Sequence, residues 1–321
     1  MNKGLNRFAI LVVCATFCLI IAGALVTSHD AGLATSDWPL SNGQLFPKMV
    51  GNLFWEHGHR MVATTVGLLT IGLLIYLRVR EKREWVRRLG VFALLAVIAQ
   101  GLLGGLTVKL MLPLPVSTAH ATLAQLFFCT TVSLAVFTSR SWMEARVLSP
   151  EPKGTMPLRY ICTVALVTIL LQLIIGATLR HSATWDRAPS TELIFVHIGG
   201  ALAVVVALGI ATLTALRRHI GESFLRRPAM LALTLLFVQL FLGVAAYITR
   251  LHSPSDPQPL NPMVGITVAH VACGALVFAT SIVLTLRVFK VLPGPVHEFE
   301  LAPQAQARSL DSFQTPAGML R

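Results

Sequence analysis

Eight apolar runs, each long enough to cross a bilayer as a helix, leave this chain few residues for anything else. They lie at about 8–27, 61–77, 89–108, 116–138, 160–179, 193–216, 230–249 and 264–286. A hydrocarbon core of about 30 Å asks for about 20 apolar residues per helical span. Charged residues make up 12% of the sequence, against about 25% in soluble domains, which excludes a water-soluble globule. The expectation is an all-α integral membrane protein with eight transmembrane helices.

The formal net charge of +12 would suit a nucleic-acid partner if it were spread over a soluble surface, but here it is gathered at alternate junctions. Lys3 and Arg7 precede the first span; Arg78, Arg80, Lys82, Arg83, Arg87 and Arg88 separate the second from the third. Arg140, Arg146, Lys153 and Arg159 follow the fourth, Arg217, Arg218, Arg226 and Arg227 the sixth, and Arg287 and Lys290 the eighth. Basic residues concentrate on the cytoplasmic side of a membrane, so both termini are expected there and no nucleic-acid partner is expected. The first span, at about twenty apolar residues, exceeds the usual signal-peptide core of about 7–15 and reads as a retained anchor. With no transit peptide before it, a bacterial plasma membrane is the expected location. Residues 293–321, rich in Pro, Gln, Ser and Ala, read as a disordered cytoplasmic tail without chemistry.

Ionisable groups inside spans are costly and usually functional. The stretch Glu56-His57-Gly58-His59-Arg60 stands at the mouth of the second run, and His120, His197 and His270 hold the equivalent place in the fourth, sixth and eighth. Each of His59, His120, His197 and His270 lies roughly 17–20 residues before an arginine that closes its segment (Arg78, Arg140, Arg217, Arg287), nearly a bilayer core at about 1.5 Å per residue. Four imidazoles therefore share one depth, near the outer face. Each is followed four residues on, on the same helix face, by a small residue: Ala63, Ala124, Ala201, Gly274. That spacing is expected to leave room for a broad, flat group such as a porphyrin.

The odd spans repeat as well. Gln100 and Gly104, Gln172 and Gly176, and Gln239 and Gly243 share one spacing, and Leu19-Ile20-Ile21 of the first span matches Leu173-Ile174-Ile175 of the fifth, which sets Cys18 against Gln172. Interhelical packing alone accounts for Gln and Gly in spans, but the recurrence indicates an internal repeat. Two halves of four spans, 1–145 and 155–290, form parallel repeats about an axis along the membrane normal. Between the first two spans, residues 28–55 carry Asp30, Gly32, Asp37, Pro39 and Gly43, a turn-forming composition; the segment reads as a lid over the histidines, with Trp38 and Trp55 suited to the interface belt. All five cysteines fall within apolar spans, so an outer-loop disulfide is not expected.

Neutral imidazole is the commonest protein metal ligand. Zinc usually gathers three or four converging ligands, whereas pairs from separate helices suit the two axial positions of a haem iron. Pairing within halves gives His59 with His120 and His197 with His270. Only the first half adds an acid, Glu56, three residues before its histidine, and an arginine, Arg60, able to grip a carboxylate such as a haem propionate; around His197 the corresponding residues are Ile194 and Ile198. The first half reads as a reaction centre and the second as a permanent cofactor site relaying electrons. A mutual ion pair is the plainer reading of Glu56 and Arg60. His29, His57, His181, His219, His252 and His297 are not expected to be ligands.

At these residues the chain resembles the haem A synthase family. The resemblance covers eight spans, Glu56-x-x-His59-Arg60, the outer Gly32-Leu33 through Asp37-Trp38-Pro39-Leu40 stretch, the Gln-x-x-x-Gly helices and the histidines of all four even spans. It implies oxidation of a methyl group of haem O to the formyl group of haem A through a hydroxylated intermediate. By that likeness His59 and His120 face substrate haem with Glu56 essential beside them, Arg60 binds substrate, and His197 and His270 ligate haem b. Many bacterial relatives carry a cysteine pair in the first outer loop; here Ser36 and Ser41 stand there without cysteine, so a cysteine-dependent electron route is not expected. A haem O synthase is the partner the family suggests, and a homo-oligomer is compatible with the sequence. The competing readings are a dihaem b-type electron-transfer protein and, from another class, a metal or proton-coupled transporter.

Overall fold

The structure is a computed structural model that describes residues 2–183, 190–251 and 261–292. Its described residues form nine helices: α1 (Lys3–Ser28), α2 (Asn52–Arg80), α3 (Glu84–Lys109), α4 (Leu114–Phe137), the single-turn α5 (Arg140–Met143), α6 (Leu158–Ser182), α7 (Thr191–Arg218), α8 (Ser223–Leu251) and α9 (Asn261–Val291). Eight of them, all but α5, are long and apolar enough to cross a membrane, as expected for a chain whose backbone must satisfy its own hydrogen bonds in lipid. The expected tail, 293–321, lies outside the described residues, as do His252 and His297.

Helices α1 to α4 close into one ring, each packed on the next and α4 back on α1; α6 to α9 do the same. The rings meet along α4 and α9, with α1 against α9 and α4 against α6. Each has its own apolar interior: Leu5, Val12, Leu73, Val86 and Leu134 in the first; Leu158, Ala211, Leu225 and Leu284 in the second. A further cluster, including Ile20, Phe128, Val132, Ile169, Leu208, Leu236 and Phe278, joins them. Large apolar side chains such as Leu68, Val79 and Phe241 point outward, as a lipid-facing surface requires.

The arginines do more at their end of the bundle than carry charge. Helix C-termini leave carbonyls without intrahelical partners and bear partial negative charge. Arg83 donates to the Phe137 carbonyl that ends α4 (2.8 Å) and Arg159 to the Phe289 carbonyl in the last turn of α9 (3.0 Å); Arg287 donates to the Phe224 carbonyl in the first turn of α8 (2.9 Å), left without an intrahelical partner because Pro228 four residues on has no N–H. These basic residues thus also tie neighbouring helices together.

Helix α2 begins nine residues earlier than its apolar run suggests, at Asn52 rather than Met61. Asn52 to Trp55, read as the end of the outer segment, and Glu56 to Arg60, read as the mouth of the run, are all helical. Glu56 and His59 therefore sit inside the helix rather than at its mouth. His181, beyond the apolar run 160–179, lies in the last turn of α6.

Replacing Phe278, which is 2% exposed, by alanine is expected to destabilise the protein by about 3–5 kcal/mol, whereas Phe241→Ala, at a side chain 74% exposed, leaves stability within about 0.5 kcal/mol. Thermal unfolding in detergent micelles measures both; equal losses would place the cooperative core elsewhere.

Candidate functional site

Four glycines explain where the imidazoles sit. A Cβ added to Gly23 of α1 would stand 3.1 Å from Cε1 of His59 on α2, and the same distance recurs between Gly104 and His120, Gly176 and His197, and Gly243 and His270. In every case the glycine belongs to the helix just before the one carrying the histidine. Even an alanine would require the ring to give by a few tenths of an ångström.

Three of these seats carry a second feature, one turn earlier on the glycine helix. The Gln172 side-chain amide donates to the His197 carbonyl (2.8 Å) and lies 3.1 Å from its Nδ1. Gln100 donates to the His120 carbonyl (3.0 Å) and lies 3.5 Å from the ring Nε2. Gln239 lies 3.3 Å from the His270 Nε2. The Gln-x-x-x-Gly pattern is thus an imidazole holder. The geometry also corrects the repeat alignment of the first span: because Gly23 takes the role of Gly176, the residue equivalent to Gln172 is Leu19, not Cys18.

The small residue four positions after each histidine is corrected at Gly274. A Cβ there would meet the Gln239 amide nitrogen at 3.2 Å and Leu173 at 3.8 Å; its smallness admits the holder of His270 rather than a flat ligand. In α7 the residue facing the corresponding glutamine is Gly200, three positions on from His197.

His197 and His270 face each other with ring centres 6.3 Å apart and planes at 70°. His59 and His120 lie within electrostatic reach of one another. The Nδ1 atoms of His59, His120 and His270 are buried without a partner, which is costly unless something completes them. An imidazole nitrogen lies about 2 Å from a metal it binds, so rings sharing one ion stand about 6 Å apart. The His197/His270 pair meets that spacing. Among the described residues no three or more His, Cys, Asp or Glu converge as a compact metal site would need. Two-ligand axial binding of a haem iron fits this donor set; a zinc-type cluster does not.

Beside the first pair, the segment 29–51 contains no helix and folds into a latched loop. Glu56, 4% exposed, accepts from the Thr35 backbone N–H (3.1 Å) and forms an ion pair with Arg60. Arg60 Nη1 donates to the carbonyls of Asp37 (3.0 Å) and Leu40 (2.6 Å) and to Ser41 Oγ (3.1 Å). Ser41, fully buried, also lies 2.9 Å from Nδ1 of His57. Asp37 accepts from Thr35 Oγ1 and from the backbone N–H groups of Asn42 (2.9 Å) and Gly43 (2.8 Å). Asn42 and Gly43 adopt φ of 52° and 73°, a left-handed turn that Asn and Gly accept readily. The loop reaches across the bundle: the Trp38 ring packs on Gly105 of α3, and Lys109 donates to the Ser36 carbonyl (3.3 Å). Trp55 stacks on His29 at 4.1 Å and 7°. Both tryptophans, expected at the lipid interface, thus have partners within the protein.

The structure therefore brings Glu56, His59 and Arg60 together on one helix, sets His120 near His59, and keeps His197 with His270 in the other ring. All the cysteines are free. The sequence reading missed Gly23 and the glutamine–imidazole contacts; the recurring Gln-x-x-x-Gly was the available signal, but which histidine each would meet depends on helix packing.

Fold and site define a multi-pass membrane protein that seats two pairs of imidazoles on glycines of neighbouring helices, with a buried Glu–Arg pair beside one of them. A family model described as cytochrome oxidase assembly protein, COX15-CtaA, matches residues 49–191. The chain is similar to the heme A synthase of Symbiobacterium thermophilum, at 30% identity over 264 residues covering 75% of this chain and 85% of the relative. The heme A synthase of Bacillus licheniformis is 24% identical over 270 residues (78% and 88%), and that of Lysinibacillus sphaericus 26% over 276 residues (78% and 88%). The chain belongs to the haem A synthase family, a family of haem-modifying membrane enzymes.

Hydrogen bonds from Gly43, Thr35 and Asn42 hold the Asp37 carboxyl well below the usual carboxylate range. Because its pKa is lower folded than unfolded, its contribution to the loop is complete above about pH 4 and fades as pH falls toward the folded value. Hydrogen exchange of residues 35–43, corrected for intrinsic rates, is expected to speed up below about pH 4. Asp37→Ala should show the fast rates at neutral pH, and unchanged protection in that variant would remove Asp37 as the loop's anchor.

Proposed function

We propose that the protein oxidises a methyl group of haem O to the formyl group of haem A through a hydroxylated intermediate, with substrate in the α1–α4 ring and a haem b in the α6–α9 ring. The observation that carries this reading is the asymmetry between two similar sites: both rings hold a glycine-seated histidine pair, and only the first sets a buried carboxylate, Glu56, on the same helix as one of them.

In this reading His197 and His270 hold haem b, each kept in register by its glutamine, and His59 and His120 face the iron of haem O. The bound haem b supplies one-electron relay. Each oxidation would take dioxygen as co-substrate, with two electrons relayed to the site and two protons, giving the hydroxylated substituent and one water. A second round would give a hydrate that loses water to the formyl group, and Glu56 is placed to carry a proton or to stabilise positive charge. Its ion-pair partner Arg60 also fastens the loop over the site through Asp37, Leu40 and Ser41; for Arg60 to grip a propionate as well, it would exchange some of these bonds. The loop excludes water, which strengthens the electrostatics beneath it. The likeness of the four seats supports two parallel four-helix repeats, and the basic junctions support cytoplasmic termini with both sites near the outer face of a bacterial plasma membrane. A haem O synthase is the natural supplier of substrate. A dihaem electron carrier would share the paired histidines but has no use for Glu56.

Extraction and mass analysis of haems from protein made in cells that also make haem O tests the reading. Haem A or its hydroxylated precursor is expected alongside haem b, with the oxidised species lost in Glu56→Ala and His59→Ala. Haem b alone, unchanged by Glu56→Ala, would make the protein an electron carrier.

A further inference from the structure

The four imidazole seats are alike in their glycine and unlike in one other respect. His120, His197 and His270 each have one ring nitrogen facing a glutamine amide. Among the described residues no glutamine faces either ring nitrogen of His59, whose Nδ1, like those of His120 and His270, is buried without a partner. One turn before Gly23, on the same face of α1, stands Leu19, packed into the apolar interior of the first ring. A leucine side chain offers neither donor nor acceptor.

An outer partner on the second nitrogen of a ligating histidine fixes ring orientation and raises its basicity as a ligand. A ligating imidazole carries its proton on the outer nitrogen, so each amide must turn its oxygen, buried without a partner, toward the ring to accept that N–H, and Gln100 and Gln172 then give up their bonds to the His120 and His197 carbonyls. Three histidines are thus equipped to be held in the ligating pose and one is not. The unheld one belongs to the pair beside Glu56, where two histidines on one iron would leave no position for an oxidant.

Resting on the haem-oxidising reading above, we infer that His59 is the exchangeable ligand of the substrate site, freed by Leu19 where the other seats have glutamine, while His120 stays. Withdrawal breaks only a dative bond: the nitrogen keeps its lone pair and no electron changes hands. It opens room one helical turn from Glu56, so the acid lies next to the vacated position. His59 also sits in the turn of α2 tied to the loop through Glu56, His57 and Arg60, which places ligand movement and loop movement on one segment.

Carbon monoxide tests the inference, because it binds a reduced haem only where a sixth position opens. Purified, haem-loaded, reduced wild-type protein is expected to bind carbon monoxide at one haem per chain, the haem held by glutamine-backed His197 and His270 remaining unreactive. Leu19→Gln, which supplies the missing amide, should slow that binding about tenfold, the lower end of effects seen for outer partners of ligands, while Leu19→Met binds as wild type does. Gln100→Leu, which strips His120 of its holder, should bind carbon monoxide faster than wild type and keeps the test alive if Leu19→Gln does not fold. Equal rates in wild type, Leu19→Gln and Gln100→Leu, at unchanged haem content, would overturn the inference and leave the proposed function standing. If His59→Ala alters neither haem content nor spectrum, the first ring holds no haem ligated by His59, and both fall.

Discussion

Close contact between a glycine on one helix and an imidazole on the next governs the rest of this molecule. A histidine in a membrane span cannot be left to choose among rotamers, because a misplaced polar ring in an apolar interior is costly. A glycine on the preceding helix solves the steric half of the problem by letting the ring lie against bare backbone, as small residues do generally between transmembrane helices. In three of four cases a glutamine one turn away meets one of the two ring nitrogens. Helix pairs α1/α2, α3/α4, α6/α7 and α8/α9 are therefore the units from which both rings are built, and the depth of each histidine follows from the register of its glycine.

The loop between α1 and α2 shows how a polar site is kept at the edge of an apolar bundle. Glu56 and Arg60 compensate one another, and breaking such a buried pair by removing one partner typically costs about 3–5 kcal/mol. What raises the arrangement above a mutual ion pair is that Arg60 also carries three oxygens of the loop, and Ser41 passes the contact on to His57. Carboxylate, loop and histidine helix thus form one hydrogen-bonded assembly, found among the described residues in the first ring.

Much of the fold could be read directly. The eight spans followed from length and hydropathy, the arginine junctions from charge, and the four histidines from their spacing to those arginines. The site was legible as far as residue types: Glu56, His59 and Arg60 share a helix face by simple periodicity. The start of α2 was not, because Asn52 to Arg60 are too polar to read as a span, and only the loop that receives their side chains makes a helix there favourable. Gly274 was read as space for a ligand, and packing gives that space to Gln239. Gly23 passed unnoticed because its own span lacks the glutamine that marks the other three.

The sequence by itself determined that this chain is a bundle of membrane helices with four imidazoles at matched positions, since hydropathy and periodicity are local properties of a helix and need no partner to be evaluated. Tertiary structure decided which glycine seats which histidine, that three imidazoles are held while His59 is not, and that the outer loop is latched through Arg60. Those outcomes depend on how one helix is rotated and slid against the next, which many side chains set jointly and no single segment encodes.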